Sequence, residues 1–87
     1  MDYRCGYFAV SKAGHDKRKT YIVWKEEGEY VYLVNGKGKT LEAPKKKRKK
    51  HIQIVYRIDH KIEEKLKNNC KIIDDDILEA IVRYLGN

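Results

Sequence analysis

The apolar pattern of this chain changes period once, near residue 58, and the change separates two kinds of structure. Before it, short runs rich in Tyr, Val, Ile, Phe and Trp alternate with turn residues: "CGYFAV" (5–10), "TYIVWKE" (20–26), "YVYLVNG" (30–36) and "HIQIVY" (51–56). These residue types suit a pleated, half-buried surface. Glu26-Glu27-Gly28-Glu29 reads as the turn between the second and third runs. Asn35-Gly36 reads as a type I′ hairpin turn, because both residues tolerate positive φ. A further short strand is expected from Lys39 to Glu42. Five short strands with closely spaced turns predict a small barrel or strongly bent sheet, in which nearly every edge is paired.

After residue 58 the spacing becomes helical. Ile58, Ile62, Leu66 and Cys70 recur every four residues and line one face of a helix starting near Asp59 and ending at Asn68-Asn69. A second helix is expected from Asp74. Asp74 serves as its cap, Asp75, Asp76 and Glu79 lie where the helix end is positive, and Ile73 staples onto Leu78. Ile77, Leu78, Ile81, Val82 and Leu85 form the expected buried stripe, with Gly86 as the stop. On this reading the acidic cluster caps a helix and is neither metal site nor catalytic group. The expected fold is mostly β with α: a small five-stranded barrel over 1–58 and two short C-terminal helices over 59–87, packed on it as one globular unit.

A chain of 87 residues buries only about 60% of its unfolded surface, enough for one core and no deep interdomain cleft. Its 20 Lys and Arg against 13 Asp and Glu give a net charge of +7. That balance favours a polyanionic partner, nucleic acid first and an anionic membrane surface second. No apolar run approaches the roughly 20 residues that cross a bilayer. The first residues alternate polar and apolar, so no secretory signal is expected. Cys5 and Cys70 lie far apart in apolar surroundings and read as two reduced, buried thiols, hence a cytoplasmic location, with a disulfide in an oxidising compartment as the alternative. There is no P-loop, nucleophile elbow or HExxH. His15, His51 and His60 show none of the spacings of zinc sites. The chain is therefore expected to be noncatalytic, with no cofactor, no metal and no small-molecule substrate.

Two basic elements are the candidate site. The first is "SKAGHDKRK", in which Lys12, Lys17, Arg18 and Lys19 supply charge and Gly14 permits positive φ and close backbone approach. His15 can stack on a base or ribose, Arg18 can do either, and Asp16 can orient the loop by bonding to its own backbone, with Ser11 at its start. The second is Lys45, Lys46, Lys47, Arg48, Lys49 and Lys50, six consecutive cations that end at His51. Beside a strand, their long side chains can reach successive phosphates. The alternative for this run is a solvated guard on a strand edge. Tyr21, Tyr30, Tyr32 and Trp24 lie on predicted strands, where packing is the ordinary role of aromatics and base stacking the alternative.

"CGYFAVSKAGHDKRKTYIVW" followed by "YVYLVNGKGKTLEAPKKKRKKHIQ" resembles the KOW-domain RNA-binding proteins found in many Gram-positive bacteria. These are similar to the KOW barrel of an archaeal and eukaryotic large-subunit ribosomal protein. Gly6 in the first strand, "SKAG" with "HDK", the "VNGK" turn, "PKKK", and "KH" before Ile52-Gln53 carry the likeness, together with "DDDILEAI". The resemblance implies an SH3-like barrel, RNA binding (ribosomal RNA foremost) and association with ribosomes, translation or ribosomal proteins. It places the RNA-facing surfaces at Ser11 to Lys19 and Lys45 to His51; separately, the chain is expected to be a monomer. The family pattern has Gly after "DK" where this chain has Arg18. Two other readings stay open: a protein-interaction module with an SH3-like groove, and a DNA-binding or nuclear factor, since "PKKKRK" also looks like a nuclear import signal.

Overall fold

The computed structural model describes residues 4–86. One antiparallel sheet contains β1 (Phe8–Ser11), β2 (Thr20–Glu27), β3 (Tyr30–Val34), β4 (Lys45–Arg48) and β5 (Ile52–Val55), in spatial order β4-β3-β2-β1-β5. A single 3₁₀ turn at Lys49–His51 joins β4 to β5, and helices α1 (His60–Lys67) and α2 (Asp74–Leu85) follow. Since β4 and β5 are opposite edges joined by so short a turn, the sheet curls until its edges approach one another. No ladder joins β4 to β5 among the described residues, so the sheet remains open. A register shift between Val23 and Lys25 marks a bulge at Trp24, which sharpens the bend of β2.

The curl buries both faces of the sheet, and for that reason its strands read as nearly continuous apolar runs. Ala9, Tyr21, Val23, Val31, Leu33, Ile52 and Ile54 fill the inner side. Phe8, Ile22 and Val34 point outward from the curl and pack with Ile62, Ile72, Ile77, Ala80 and Ile81 of the helical segment. Phe8 also stacks on Tyr84, with ring centroids 4.3 Å apart. Fully burying one such side chain contributes about 1.5–3 kcal/mol. The helices therefore complete the core of the sheet.

The fourth strand differs from expectation. Lys39 to Glu42 forms no strand, and the basic run itself pairs with β3, matching Tyr30 to Arg48 and Leu33 to Lys45. Asn35-Gly36 does not close a two-residue hairpin. The Asn35 side-chain oxygen accepts the N–H groups of Lys37 and Lys39, both at 3.0 Å, and opens a longer connection. The physical reason for the strand is that lysine stems cover apolar surface while their charges guard the edge. Gly6 precedes β1 rather than lying in it, at φ +102°, with its N–H donating to Val23.

The helix ends are largely where the pattern puts them. The Asp59 carboxylate caps α1, accepting from the N–H groups of Lys61 and Ile62, and also takes two bonds from Arg83 at 2.9 and 2.8 Å. Of the four-residue series only Ile62 is fully buried. Cys70 lies beyond the end of α1 and is exposed, and Cys5 is half-buried, which corrects the expectation of two buried thiols. α2 starts at Asp74, but the carboxylate that secures its first turn is Asp76, which accepts from the Ile73 N–H at 2.9 Å. Asp74 instead accepts the Leu41 N–H at 2.8 Å, which ties the β3–β4 connection to the helix. The stripe facing the core is Ile77, Ala80, Ile81 and Tyr84. That phase rotates Val82 and Leu85 outward, 60% and 63% exposed, and Ile73 is 47% exposed.

Candidate nucleic-acid interface

Making the basic run a strand sends alternate side chains to opposite faces, and this decides what each cation can do. Lys47 points to the mouth of the Ser11–Lys19 loop. Its ammonium donates to Ser11 Oγ at 2.7 Å, to the Ala13 carbonyl at 2.9 Å and to Asp16 Oδ1 at 2.6 Å. These three bonds use all of its N–H groups. Lys45 lies 3.2 Å from Asp16 Oδ2, and Lys49 pairs with Glu26. Half of the run is thus already engaged by the protein's own carboxylates, Asp16 shared by two lysines and Glu26 taken by the third.

Asp16 is the centre of this arrangement. It is buried, and besides the two lysines it accepts from the Ser11 hydroxyl at 3.0 Å and the Tyr21 hydroxyl at 3.1 Å. Burial opposes its ionisation, but the bonds from Lys47, Lys45, Ser11 and Tyr21 outweigh that and hold its carboxyl well below the usual range. Burial, then the bond to Asp16, pushes the Tyr21 hydroxyl up to about 12. Asp16 therefore orients the loop through its side-chain partners on β1, β2 and β4, not through its own backbone as the sequence suggests.

The other half of the run faces outward. Lys46, Arg48 and Lys50 are exposed and take part in no ion pair among the described residues. Lys46 Nζ lies 4.4 Å and Arg48 Cζ 5.5 Å from the ring centroid of half-buried Tyr30. On the adjacent β2–β3 ladder, where Lys25 pairs with Tyr32, Lys25 Nζ lies 5.6 Å from the Tyr32 ring, whose hydroxyl donates to Glu27. Tyr21 is core, so the strand tyrosines divide between packing and cation-bearing surface.

In the loop, Lys12, Gly14, His15, Lys17, Arg18 and Lys19 are exposed. Gly14 has φ +85°, and a Cβ there would meet Asp16 Oδ1 only at 3.5 Å, so the position needs glycine for its backbone angle more than for space. Arg18 has φ +74°. Its N–H donates to the Ser11 carbonyl at 2.7 Å, and the Ser11 N–H donates to the Lys19 carbonyl at 3.0 Å. Arg18 and Lys19 thus both oppose Ser11, and Arg18 takes the left-handed bulge position that favours glycine. The loop keeps that path with an arginine in place, at a strain of about 1 kcal/mol. The far end of the run joins the same surface, for the Lys12 N–H donates to the His51 carbonyl at 2.8 Å.

The two elements are therefore adjacent. The residues that join them, Ser11, Asp16, Lys45 and Lys47, are structural, while Lys12, His15, Lys17, Arg18, Lys19, Lys46, Arg48 and Lys50 are presented to solvent. The anchoring role of Asp16 had one signal in the sequence: it is the only carboxylate in a loop with four cations. Among the described residues no group of three His, Cys, Asp or Glu side chains could hold a metal ion, and no helix is long and apolar enough to cross a membrane.

Fold and surface together define a small β/α domain in which a curled five-stranded antiparallel sheet presents two neighbouring basic elements. The chain matches no protein-family model and no curated protein.

Proposed function

We propose that this chain is a noncatalytic RNA-binding protein: an SH3-like barrel of the KOW type, extended by two helices, that works in ribosome- or translation-associated assemblies. The observation that carries this reading is the seating of Lys47 in the Ser11–Lys19 loop. That contact sets four exposed loop cations beside the three outward cations of the basic run, seven in all. Seven unneutralised charges on neighbouring elements suit a phosphate backbone, whose counterions they would displace. The curl of the sheet, with its edges joined by one 3₁₀ turn, supports the barrel assignment.

The nuclear reading is less favoured because "PKKKRK" is largely β4, hydrogen-bonded to β3. A receptor that reads an extended tail would first have to unzip it. A peptide groove is less favoured because cations lie over Tyr30 and Tyr32. Titrating RNA affinity against salt tests the proposal. Contact with about five phosphates gives a log–log slope of roughly −3 to −4 on single strands. A flat response, or no RNA binding at low salt, overturns it.

A further inference from the structure

The corner between the β2–β3 turn and the end of β4 holds a hollow of about 430 Å³ lined by Gly28, Glu29, Arg48, Lys49 and Lys50. Tyr30 borders it in sequence and lies directly opposite Arg48 in the ladder. Lys49 is engaged by Glu26, which leaves Arg48 and Lys50 as the cations presented there. The Arg48 guanidinium lies over the Tyr30 ring, which it shares with the nearer Lys46 ammonium, while Arg48 stays exposed. A guanidinium supported in this way offers a flat charged surface, which suits a nucleobase face. Open space surrounds the Cβ position of Gly28, so the turn does not crowd the entrance.

Resting on the RNA-binding reading, we infer that Tyr30 and Arg48 form a stacking site for one unpaired base, with the flanking phosphate in the adjoining hollow between Arg48 and Lys50. The ligand is single-stranded RNA. A base within a duplex keeps its faces against its neighbours and cannot enter, so this corner gives the protein a preference for unpaired strands that its other cations do not supply. Glu29, on the rim of the hollow, opposes the phosphate.

The test compares the full chain with Arg48→Lys and Glu29→Gln, using an oligoadenylate that carries 2-aminopurine and a duplex of equal length. Arg48→Lys keeps the charge and removes the plane. Single-strand affinity should fall roughly five- to tenfold, since stacking contributes on the order of 1 kcal/mol or more per base. Duplex affinity and the salt slope should hold, and the quenching of 2-aminopurine on binding should disappear. Glu29→Gln should tighten single-strand binding severalfold, a gain that misfolding cannot mimic. The inference is overturned if Arg48→Lys binds single strands as the parent does, loses single strand and duplex in equal proportion, or retains the quenching. A parent protein that binds RNA with the expected salt slope while Arg48→Lys is neutral sinks only this site. A parent that binds no RNA sinks the proposed function and the site together.

Discussion

Lys47 Nζ lies 2.6 Å from Asp16 Oδ1, across 31 residues of chain, and this contact makes the first hairpin loop and the edge strand one structural element. Both side chains are nearly buried, 10% and 7% exposed. Asp16→Asn should cost about 3 kcal/mol of unfolding free energy, because it leaves the Lys47 ammonium with no countercharge. Lys47→Met should cost less, since Asp16 keeps Lys45, Ser11 and Tyr21. Urea unfolding of both single variants and the double variant forms a cycle, with a coupling of about 1 kcal/mol or more expected. Additive losses would show that the pair contributes no mutual stabilisation.

The same carboxylate predicts how stability depends on pH. An unfolded Asp titrates near about 3.9, whereas folded Asp16 stays ionised well below that. Its stabilisation is thus present above the unfolded value and is lost as pH falls towards the folded one, because the unfolded chain then binds the extra proton. Asp59, held mainly by Arg83, and Asp76, held mainly by the Ile73 N–H, are lowered in the same sense. The urea midpoint should therefore drop on acidification below about pH 5, and drop less steeply in Asp16→Asn. Parallel pH curves for the two proteins would refute the assignment.

Arg18 carries a backbone angle that a side chain disfavours, at a bulge where glycine is usual. Arg18→Gly should stabilise the fold by about 1 kcal/mol through relief of that strain. The same change should weaken RNA binding and make the salt slope shallower by about 0.7, one phosphate contact on a single strand. Thermal unfolding and a salt titration check the two effects separately. A variant that is stabilised and binds unchanged would leave the arginine without a role.

Much of this architecture was legible because it rests on short-range rules. The runs around Phe8, Ile22 and Leu33 became strands, and Asp59 capped the helix that its spacing announced. What escaped depends on pairings between distant segments. Nothing near Lys45 says that four basic residues will take the edge of a sheet, since β propensity disfavours lysine and the partner, Tyr30 to Leu33, lies more than ten residues away. Asp74 resembles a cap by position and lost that role to Asp76 because Leu41, 33 residues upstream, supplied another donor. In the site, both basic elements could be named from composition. Their division into internal and outward cations could not, because that follows from strand register.

Gly36 marks the closest approach of the β3–β4 connection to α2. A Cβ there would lie 2.5 Å from the Asp74 carbonyl oxygen and 2.7 Å from the Leu78 nitrogen, on a residue with φ +78°. Backbone atoms of a helix cannot yield as a flexible side chain does. Gly36→Ala should therefore cost more than about 2 kcal/mol, from strain and overpacking combined. Gly28→Ala is the control, with φ +58° but nothing within 4 Å of the added Cβ, and should show the strain alone. Equal losses at the two sites in urea unfolding would mean that contact with α2 is not what Gly36 serves.

The alternation along β4, continued by Lys49 and Lys50 in the turn after it, makes the sharpest separation available. Lys45, Lys47 and Lys49 face Asp16 and Glu26, whereas Lys46, Arg48 and Lys50 face solvent. Replacing the first three with Gln removes the countercharges of a buried carboxylate, so the fold should lose several kcal/mol, on the order of 3 or more. Replacing the second three with Gln should change stability by less than about 1 kcal/mol. It should also weaken RNA binding on all sequences alike and reduce the salt slope by roughly 2, three phosphates at about 0.7 each. The two variants carry the same net charge, so a partner that sensed only overall charge would not distinguish them. Identical RNA affinities for the two variants, measured where both remain folded, would place the phosphate contacts elsewhere on the molecule.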